Sequence, residues 1–579
     1  MPNLFAGINL SLQALLSQQT AVEIIEHNVA NVNTPGYRRQ EAVLKAGIGV
    51  ASPGATYNLG VGQIGTGVSV DRIKRFTLDF FDTRYRQEIE GSKQWEVQSN
   101  ILQMLEASFA ETSTDGVLPK LDAFWSGWQK LSVDPSNTSL RSEVLDNAKA
   151  LASALNSRAQ MVLNLQMEQD LVIEQRVEEI NGAADQIARL NGEISRVISI
   201  GEQPNDLLDQ RDILLDRLAE IAGATSSKQL NGEAVVAING HVLVQGQTSF
   251  GLVTEMDPGN HNFARIEWED GQVLTPRTGE LAGILDARDN VMDDQMSGLN
   301  NLSQALITRV NELHRSGFAP GKVVTTALIP ATVTNLGSGT VAAGQTEITA
   351  GSYSVESRLN AGVWQFRVVD SSSAAVSIQL SDGSGYSDQW QDIPSSSGTA
   401  VPYDTGRGLT ITFGGDQALY SQATVGAGAA GLSFTPQQDF FTGTSAMTMH
   451  VNSVLDNTSL IATGLNPNAA GDGELARLIA NIRGEPLLNS GTATANQYYT
   501  GKVSDLGLDV SRSKANAENR KLVSDAMNNQ RLSVTGVSLN EEAANLVKAQ
   551  KAYEAAARLM NAIDEMLDRI INGLGLVGR

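Results

Sequence analysis

"HNVANVNTPGYRRQ", His27 to Gln40, decides how both ends of this chain are read. No Lys or Arg precedes it, so Arg38 is the first positive charge in the sequence. Upstream, Phe5, Ile8, Leu12, Leu15, Gln19, Val22, Ile25 and Val29 recur at steps of three or four, and only Gln19 is polar. That spacing predicts one helix with a single apolar stripe, running to about Val32. Asn31 and Asn33 tolerate the backbone of a helix end. Thr34 precedes a proline and is pushed out of the helical region. Pro35-Gly36 suits the two central positions of a type II turn, after which Tyr37 begins an extended segment. The stretch ends a rod and redirects the chain.

The opposite end carries a second rod. Leu546, Ala549, Tyr553, Ala556, Met560, Ile563, Leu567, Ile570 and Leu574 alternate gaps of three and four without a slip. That is the a/d seam of a heptad pattern. Ser538-Leu-Asn540-Glu541-Glu542 provides capping side chains and acids for its first turn. Neither helix is stable alone, and a pair of them remains marginal. Both lie at extreme ends of the chain, which points to an assembly device completed by further copies or other partners.

Composition narrows the function. A chain of 579 residues holds roughly three or four domains. Its 42 Lys and Arg stand against 64 Asp and Glu, a net charge of −22. That balance disfavours nucleic acid, which needs positive surface to displace counterions, and anionic lipid. There is no cysteine, hence no disulfide and no thiolate site. The five histidines are scattered and no HExxH occurs. The N-terminus lacks the basic region of a cleaved signal, and no run approaches the roughly 18 apolar residues of a membrane span. Membrane insertion is not expected, and export requires a route without a cleaved signal.

The middle of the chain alternates in character. Gly60, Gly62 and Gly65 satisfy GxGxxG, but an alternating strand follows instead of a helix, so a turn is expected and not a cofactor site. Phe124, Trp125 and Trp128 read as helix-packing core. A long helix is predicted from about Ser139 to Ile200, with Ile173, Val177, Ile180, Ala184, Ile187, Leu190, Ile194 and Val197 on its inner face. Asp206, Asp209 and Asp212 then recur every third residue. Such a row could hold a metal, but it reads better as an ordinary helix start, capped by Asn205 and paired with Arg211 and Arg217. Residues 222–278 contain Asn-Gly and Asp-Gly turns between short apolar runs, a small β-rich domain. Helical spacing returns from Gly279 to about His314. Gly321-Lys322 lacks the rest of a phosphate loop. Residues 319–434 are rich in Gly, Ser, Thr and Val, with alternation at Trp364–Val368, Val376–Leu380 and Leu409–Phe413, an inserted β domain. No catalytic, cofactor-binding or metal-binding constellation is expected.

"NVANVNTPGY" resembles the N-terminal signature of bacterial flagellar axial proteins, the rod, hook and hook-associated families. "LNEEAANLVKAQKAYEAAARLMNAIDEMLD" is similar to their C-terminal signature, with Glu542, Gln550, Tyr553, Ala557 and Arg558 in place. "PNDLLDQRDILLDRLAEI", Pro204 to Ile221, resembles a stretch typical of the hook-associated families, as do "GELAGILDARD" and "VNELHRSGF". The resemblance covers about residues 1–318 and 435–579.

It implies a structural adaptor between hook and filament, self-associated in a helical ring. Its partners are then the flagellar hook protein, a second junction protein on the filament side, and a cytoplasmic export chaperone at the C-terminal region. It also implies secretion through the flagellar type III apparatus to the extracellular hook–filament junction. The fold expected is a multidomain α + β one. A long-helix coiled-coil trunk is built from both chain ends, and β-rich outer domains are inserted in the middle. Residues 1–40 with 540–579 form the terminal coiled-coil domain; 41–221 with 279–318 and 435–539 form a helical trunk; 222–278 and 319–434 are the β domains. The candidate interface comprises Ile8, Leu12, Leu15, Val22, Ile25, Val29, Asn31, Pro35, Gly36 and Tyr37 near the start. Near the end it comprises Leu546, Gln550, Tyr553, Ala556, Met560, Ile563, Leu567 and Ile570. Two alternatives stay open: another axial protein (hook or distal rod), or a secreted adhesin or enzyme acting through the 319–434 insertion.

Overall fold

The computed structural model describes residues 2–47, 67–109, 115–319, 439–466, 469 and 471–574, with strand segments at 332–334, 353–360, 363–370, 374–380, 385–392, 401–404 and 410–413. The glycine triplet at 60–65 and Gly321-Lys322 lie outside these. The chain divides into two compact units, residues 1–103, 167–290 and 509–579 in one, and 104–166 and 291–508 in the other.

The first unit begins with helix α1 (Pro2–Ala30). Its hydroxyls fold inward: Ser11, Ser17 and Thr20 donate to the carbonyls of Gly7, Gln13 and Leu16. These three hydroxyls are therefore satisfied within the helix. Strands β1 (Gln40–Ala46) and β2 (Val68–Arg75) pair antiparallel from Gln40↔Arg75 to Ala46↔Val68, with a bulge at Val43/Leu44. Ser17 Oγ also reaches the Val68 carbonyl, at 3.1 Å, which ties this ribbon to α1. Helix α2 (Asp79–Phe109) follows.

After helix α3 (Val117–Val133), helix α4 spans Thr138–Ser199, close to the length predicted. Ile173, Val177, Ile180, Ala184, Ile187 and Ile194 are all buried along it. Asn191 is buried among them and acts as a polar hub, donating to the Ala234 and Gly246 carbonyls and accepting from Ala234 N–H and Arg211. Helix α5 (Asn205–Ala222) leads into the small β domain. There β3 (Thr225–Lys228), β4 (Ala234–Ile238), β5 (His241–Gln245) and β6 (Thr248–Ser249) form an antiparallel meander, and β7 (Leu252–Asp257) pairs β8 (Phe263–Trp268). Asn239 (φ 51°) and Gly240 (φ 87°) make the β4–β5 hairpin turn that the Asn-Gly pair predicted.

Helix α6 (Gly279–Leu285) begins hard against α5. Gly279 has φ +87°, and a Cβ there would lie 2.6 Å from the Ile221 carbonyl oxygen, so only glycine fits. The predicted continuous helix to His314 is interrupted by a π-helical turn at Asp286–Met292, after which α7 runs Asp293–Ser316. Arg288 explains the irregularity. Its guanidinium is buried between Asp170 and Asp289 and lies 5.4 Å from the Phe263 ring, which an evenly wound helix would point elsewhere.

In the second unit Phe124, Trp125 and Trp128 of α3 are buried against Phe440 and Phe441, the core role expected of them. The insertion holds strands β9 (Thr332–Thr334) to β17 (Thr410–Phe413). β10 (Tyr353–Asn360) and β11 (Val363–Asp370) form a hairpin. Tyr403 of β16 (Val401–Asp404) stacks edge-on against Phe366 and donates its hydroxyl to the Gln379 carbonyl. The strand predicted over Val376–Leu380 is divided at Ser377 into β12 (Ala375–Val376) and β13 (Ile378–Gln379), which pair with different partners. Short strands β18 (Phe441–Thr442) and β19 (His450–Val451), helix α8 (Glu474–Asn481) and helix α9 (Ala495–Thr535) follow. The second half of α9 and α10 (Leu539–Leu574) belong to the first unit.

Candidate functional site: the terminal helix pair and its ionic anchor

α1 and α10 pack along one another. Ile563 Cδ1 lies 3.1 Å from where a Cβ on Gly7 would stand, and Glu542 bonds Asn28. The interval between the two contacts is equal on both helices, so the pair is antiparallel and in step. Ala549, Ala556 and Ile563 are buried on α10, while Leu546, Met560 and Leu567 are half-buried. On α1, Ile25 is buried and Ile8, Leu15 and Val22 are half-buried. Leu12, Val29, Gln550 and Tyr553 are exposed, although the stripe reading placed them with the others. The described residues do not include the Ile570 side chain.

The signature turn has the predicted form. Tyr37 N–H donates to the Thr34 carbonyl at 3.2 Å, and Gly36 sits at φ +76°. Pro35 and Gly36 are exposed, and Asn31 is half-buried. A Cβ on Gly36 would meet the Ile213 side chain at 2.4 Å.

The residues just behind the turn do most of the bonding. Asn28 is fully buried and uses both ends of its amide. Its oxygen accepts from the Gln40 N–H and the Tyr37 hydroxyl; its nitrogen donates to the Gln40 carbonyl and to Glu542. Glu542, 1% exposed, also accepts from Arg39 Nε at 2.7 Å. Arg39 N–H donates to the Thr535 carbonyl. The first turn of α10 is thus fastened to the first extended segment of the chain.

Arg38 enters a second cluster. Its guanidinium, on a residue 5% exposed, grips Asp82 with two bonds of 2.7 and 2.8 Å and reaches Asp212 at 3.1 Å. Arg75 bridges Asp209 and Asp212, each at 2.6 Å. Arg86 bonds Asp216 at 2.7 Å, and Arg531 of α9 bonds the other oxygen of Asp216 at 2.6 Å while lying over the Tyr85 ring. Arg38, Arg75, Arg86 and Arg531 face Asp82, Asp209, Asp212 and Asp216, so the cluster is neutral in total. Burial opposes the charge on Asp212, but Arg38, Arg75 and Arg86 overcome it and bring its pKa down to about 2. Burial together with Asp206, Asp209 and Glu542 pushes the Tyr37 hydroxyl up, and it stays protonated as a donor. Burial raises Tyr85 to about 12.

The aspartate row therefore has partners that local reasoning did not supply. Asn205 does not cap α5; it donates to Gln40 and to the Ile73 carbonyl. Arg211 turns to Asn191 and the Gly232 carbonyl, and Arg217 to Glu179, Glu220 and Glu280. Asp209, Asp212 and Asp216 occupy one face of α5 and collect arginines from β2, α2 and α9 instead. Asn28, Arg38, Arg39 and Gln40 were missed as site residues. The signal available was the arrival of the first two cations directly after the turn. Among the described residues no group of three or more His, Asp or Glu could hold a metal ion.

Hydrogen exchange on the isolated chain is expected to follow this geometry. Protection is greatest around Asn28 and Glu542 and falls by about one to two orders of magnitude toward Ile8 and Leu567, where only the helix seam holds. Uniform strong protection along both helices overturns this.

Known proteins match this arrangement. The model for the flagellar hook-associated protein FlgK helical domain matches residues 102–324. A model for flagella basal body rod proteins matches residues 8–38, and one for the C-terminal part of flagellar basal body rod FlgEFG proteins matches 528–573, so the two rod models fall on the paired ends. The flagellar hook-associated protein 1 of Bacillus subtilis is 24% identical over 583 residues, covering 100% of both chains. That of Escherichia coli is 26% identical over 585 residues, covering 98% of this chain and 99% of its own. In fold, the flagellar hook junction protein FlgK from Burkholderia pseudomallei aligns at TM-score 0.52 and 16% identity, over 78% of this chain and 100% of that one. With its ends joined through the signature residues and its length matched in order, the chain is similar throughout to flagellar hook-associated protein 1.

Proposed function

We propose that the chain is a structural adaptor of the bacterial flagellum that forms the junction between hook and filament by helical self-assembly. The observation that carries this reading is the antiparallel α1–α10 pair, fastened at Asn28, Arg39 and Glu542. It is a long, rigid, two-ended element with exposed flanks and no chemistry of its own. The chain performs no catalysis and holds no cofactor. Its partners are copies of itself, the hook protein, a second junction protein on the filament side, and a cytoplasmic chaperone that holds the C-terminal region before export. It works outside the cell after type III export. Among the described residues no helix is long and apolar enough to cross a membrane.

The domain division proposed from the sequence has local support where the insertion departs. Phe318 and Gly464 exchange backbone hydrogen bonds, and Asn311 brackets Phe441 with two more. The chain on either side of the insertion is thereby held in place by residues outside it. Expressing the chain in a strain that lacks its junction protein is expected to restore filaments. A version with residues 319–434 replaced by a short Gly-Ser linker is expected to restore them equally. Hooks that stay bare with the full chain exported and stable at their tips sink the junction reading. Bare hooks with the shortened chain alone place the insertion inside the junction lattice.

A further inference from the structure

Beside its seam, the α1–α10 pair leaves a groove of about 450 Å³ along one flank. Val22 and Tyr553 give it an apolar floor, Tyr553 being 42% exposed. Three carboxylates line it: Glu23 and Glu26 from α1 and Glu554 from α10. Gln19 donates to Glu23 at 3.0 Å, and Lys551 pairs with Glu554 at 3.0 Å. Among the described residues Glu23 and Glu26 form no ion pair. Three acids converging on an apolar floor form a site for a cationic, shallow surface.

The same chain carries such a surface on another side of the pair. Since Ala549, Ala556 and Ile563 face α1, residues one position before them and before Ile570, and two positions after Ala556, stand about 100° or more around the helix from that contact. Those positions include Lys548, Ala555, Arg558, Ala562 and Arg569, all exposed. Lys548 and Arg569 form no ion pair among the described residues, and Arg558 acts only at longer range on Glu554. The alanines keep the face low, so another helix pair can approach closely. The two faces adjoin along α10, where Lys551 first and then Arg558, one turn away, draw down the Glu554 carboxyl, but Glu23 and Glu26 stand on the other helix.

We propose that a second copy of this chain lays the basic back of its α10 into the acidic groove of the first. The contact is head-to-tail in character: each copy offers a groove to one neighbour and a back to the other, so the series runs on from copy to copy around a ring or helix. This inference rests on the self-assembly proposed above and names the surfaces that perform it.

The absence of cysteine gives a direct test. Purified full-length Glu26→Cys and Arg558→Cys proteins are mixed at high concentration and oxidised. A cross-linked dimer that needs both variants is expected, and its absence overturns the contact. In cells, Glu23→Lys with Glu26→Lys, or Lys548→Glu with Arg558→Glu, is expected to lower filament number by about tenfold through like-charge repulsion, with helical content unchanged. Combining all four reversals restores it. Wild-type filament numbers in either pair of reversals, or no recovery in the combination, overturns the contact. If the unaltered chain fails to restore filaments, the junction role falls, and the mixed disulfide still decides the contact.

Discussion

Arg38→Ala is expected to destabilise the first unit by about 3–5 kcal/mol, the usual cost of removing one partner from a buried ion pair. The loss is large because the guanidinium serves several acceptors. Asp82 loses both of its close bonds and Asp212 one of its three cations. A neutral cluster of four arginines and four aspartates becomes one with a net negative charge inside the protein. Chemical denaturation followed at the tryptophans of that unit reads the loss. Arg38→Lys, which restores the charge but not the two-pronged grip, is expected to recover only part of it. The sign with pH follows from Asp212. Its folded pKa of about 2 lies below the ordinary 3.8, so its contribution is full above about pH 4 and disappears as the pH falls toward 2. The shift corresponds to about 2 kcal/mol at neutral pH. Arg38 is foremost among the charges that depress it, so the variant's acid unfolding begins at higher pH than the parent's. A variant as stable as the parent, with the same acid midpoint, removes the cluster from any structural role.

Ile563→Asp is expected to abolish filaments while leaving the chain folded and exported. Ile563 is 8% exposed and packs on α1 at Gly7, so a carboxylate there is largely removed from water. Burying that charge costs several kcal/mol. The helix pair has a cheaper response, which is to separate beyond the Glu542 anchor. The anchor and the cores of both units do not depend on the seam, so the variant keeps their stability. It loses the paired rod on which the proposed junction depends. Microscopy then shows hooks without filaments, and filament protein is found in the medium. Ile563→Val retains the packing and is expected to behave as the parent. Filaments in normal number, with the aspartate variant present at the parent's level, refute the requirement for the pair.

The sequence was legible where periodicity and turn chemistry act locally. Both end helices, the type II turn at Pro35-Gly36, the Asn239-Gly240 hairpin and the long α4 helix follow from spacing alone. So does the burial of Phe124, Trp125 and Trp128. The ionic anchor was not legible, because Asp209, Asp212 and Asp216 would look the same on a solvated helix face. Their arginines come from more than a hundred positions away, with Arg75 and Asp212 separated by 137 residues. The exposure of Leu12 and Val29 was missed for a related reason. An apolar stripe wide enough for two partners looks like a stripe for one until the first partner is in place. The π-helical turn at Arg288 depends on a charge pair with Asp170, another helix's residue, and periodicity within one helix cannot reveal it.

The bond from Asn28 to Glu542 joins residues 514 positions apart. Closing so long a loop adds only a modest entropic cost, since each doubling of length costs about 0.6 kcal/mol. The dependence it creates is much larger. A chain that stops short of Glu542 takes the carboxylate from the Arg39 guanidinium, leaves the Asn28 amide only the Gln40 carbonyl to donate to, and leaves α1 with only the β1–β2 ribbon beside it. The molecule in effect proofreads its own completeness. A polypeptide made through to α10 presents the paired rod, and one truncated before Glu542 does not.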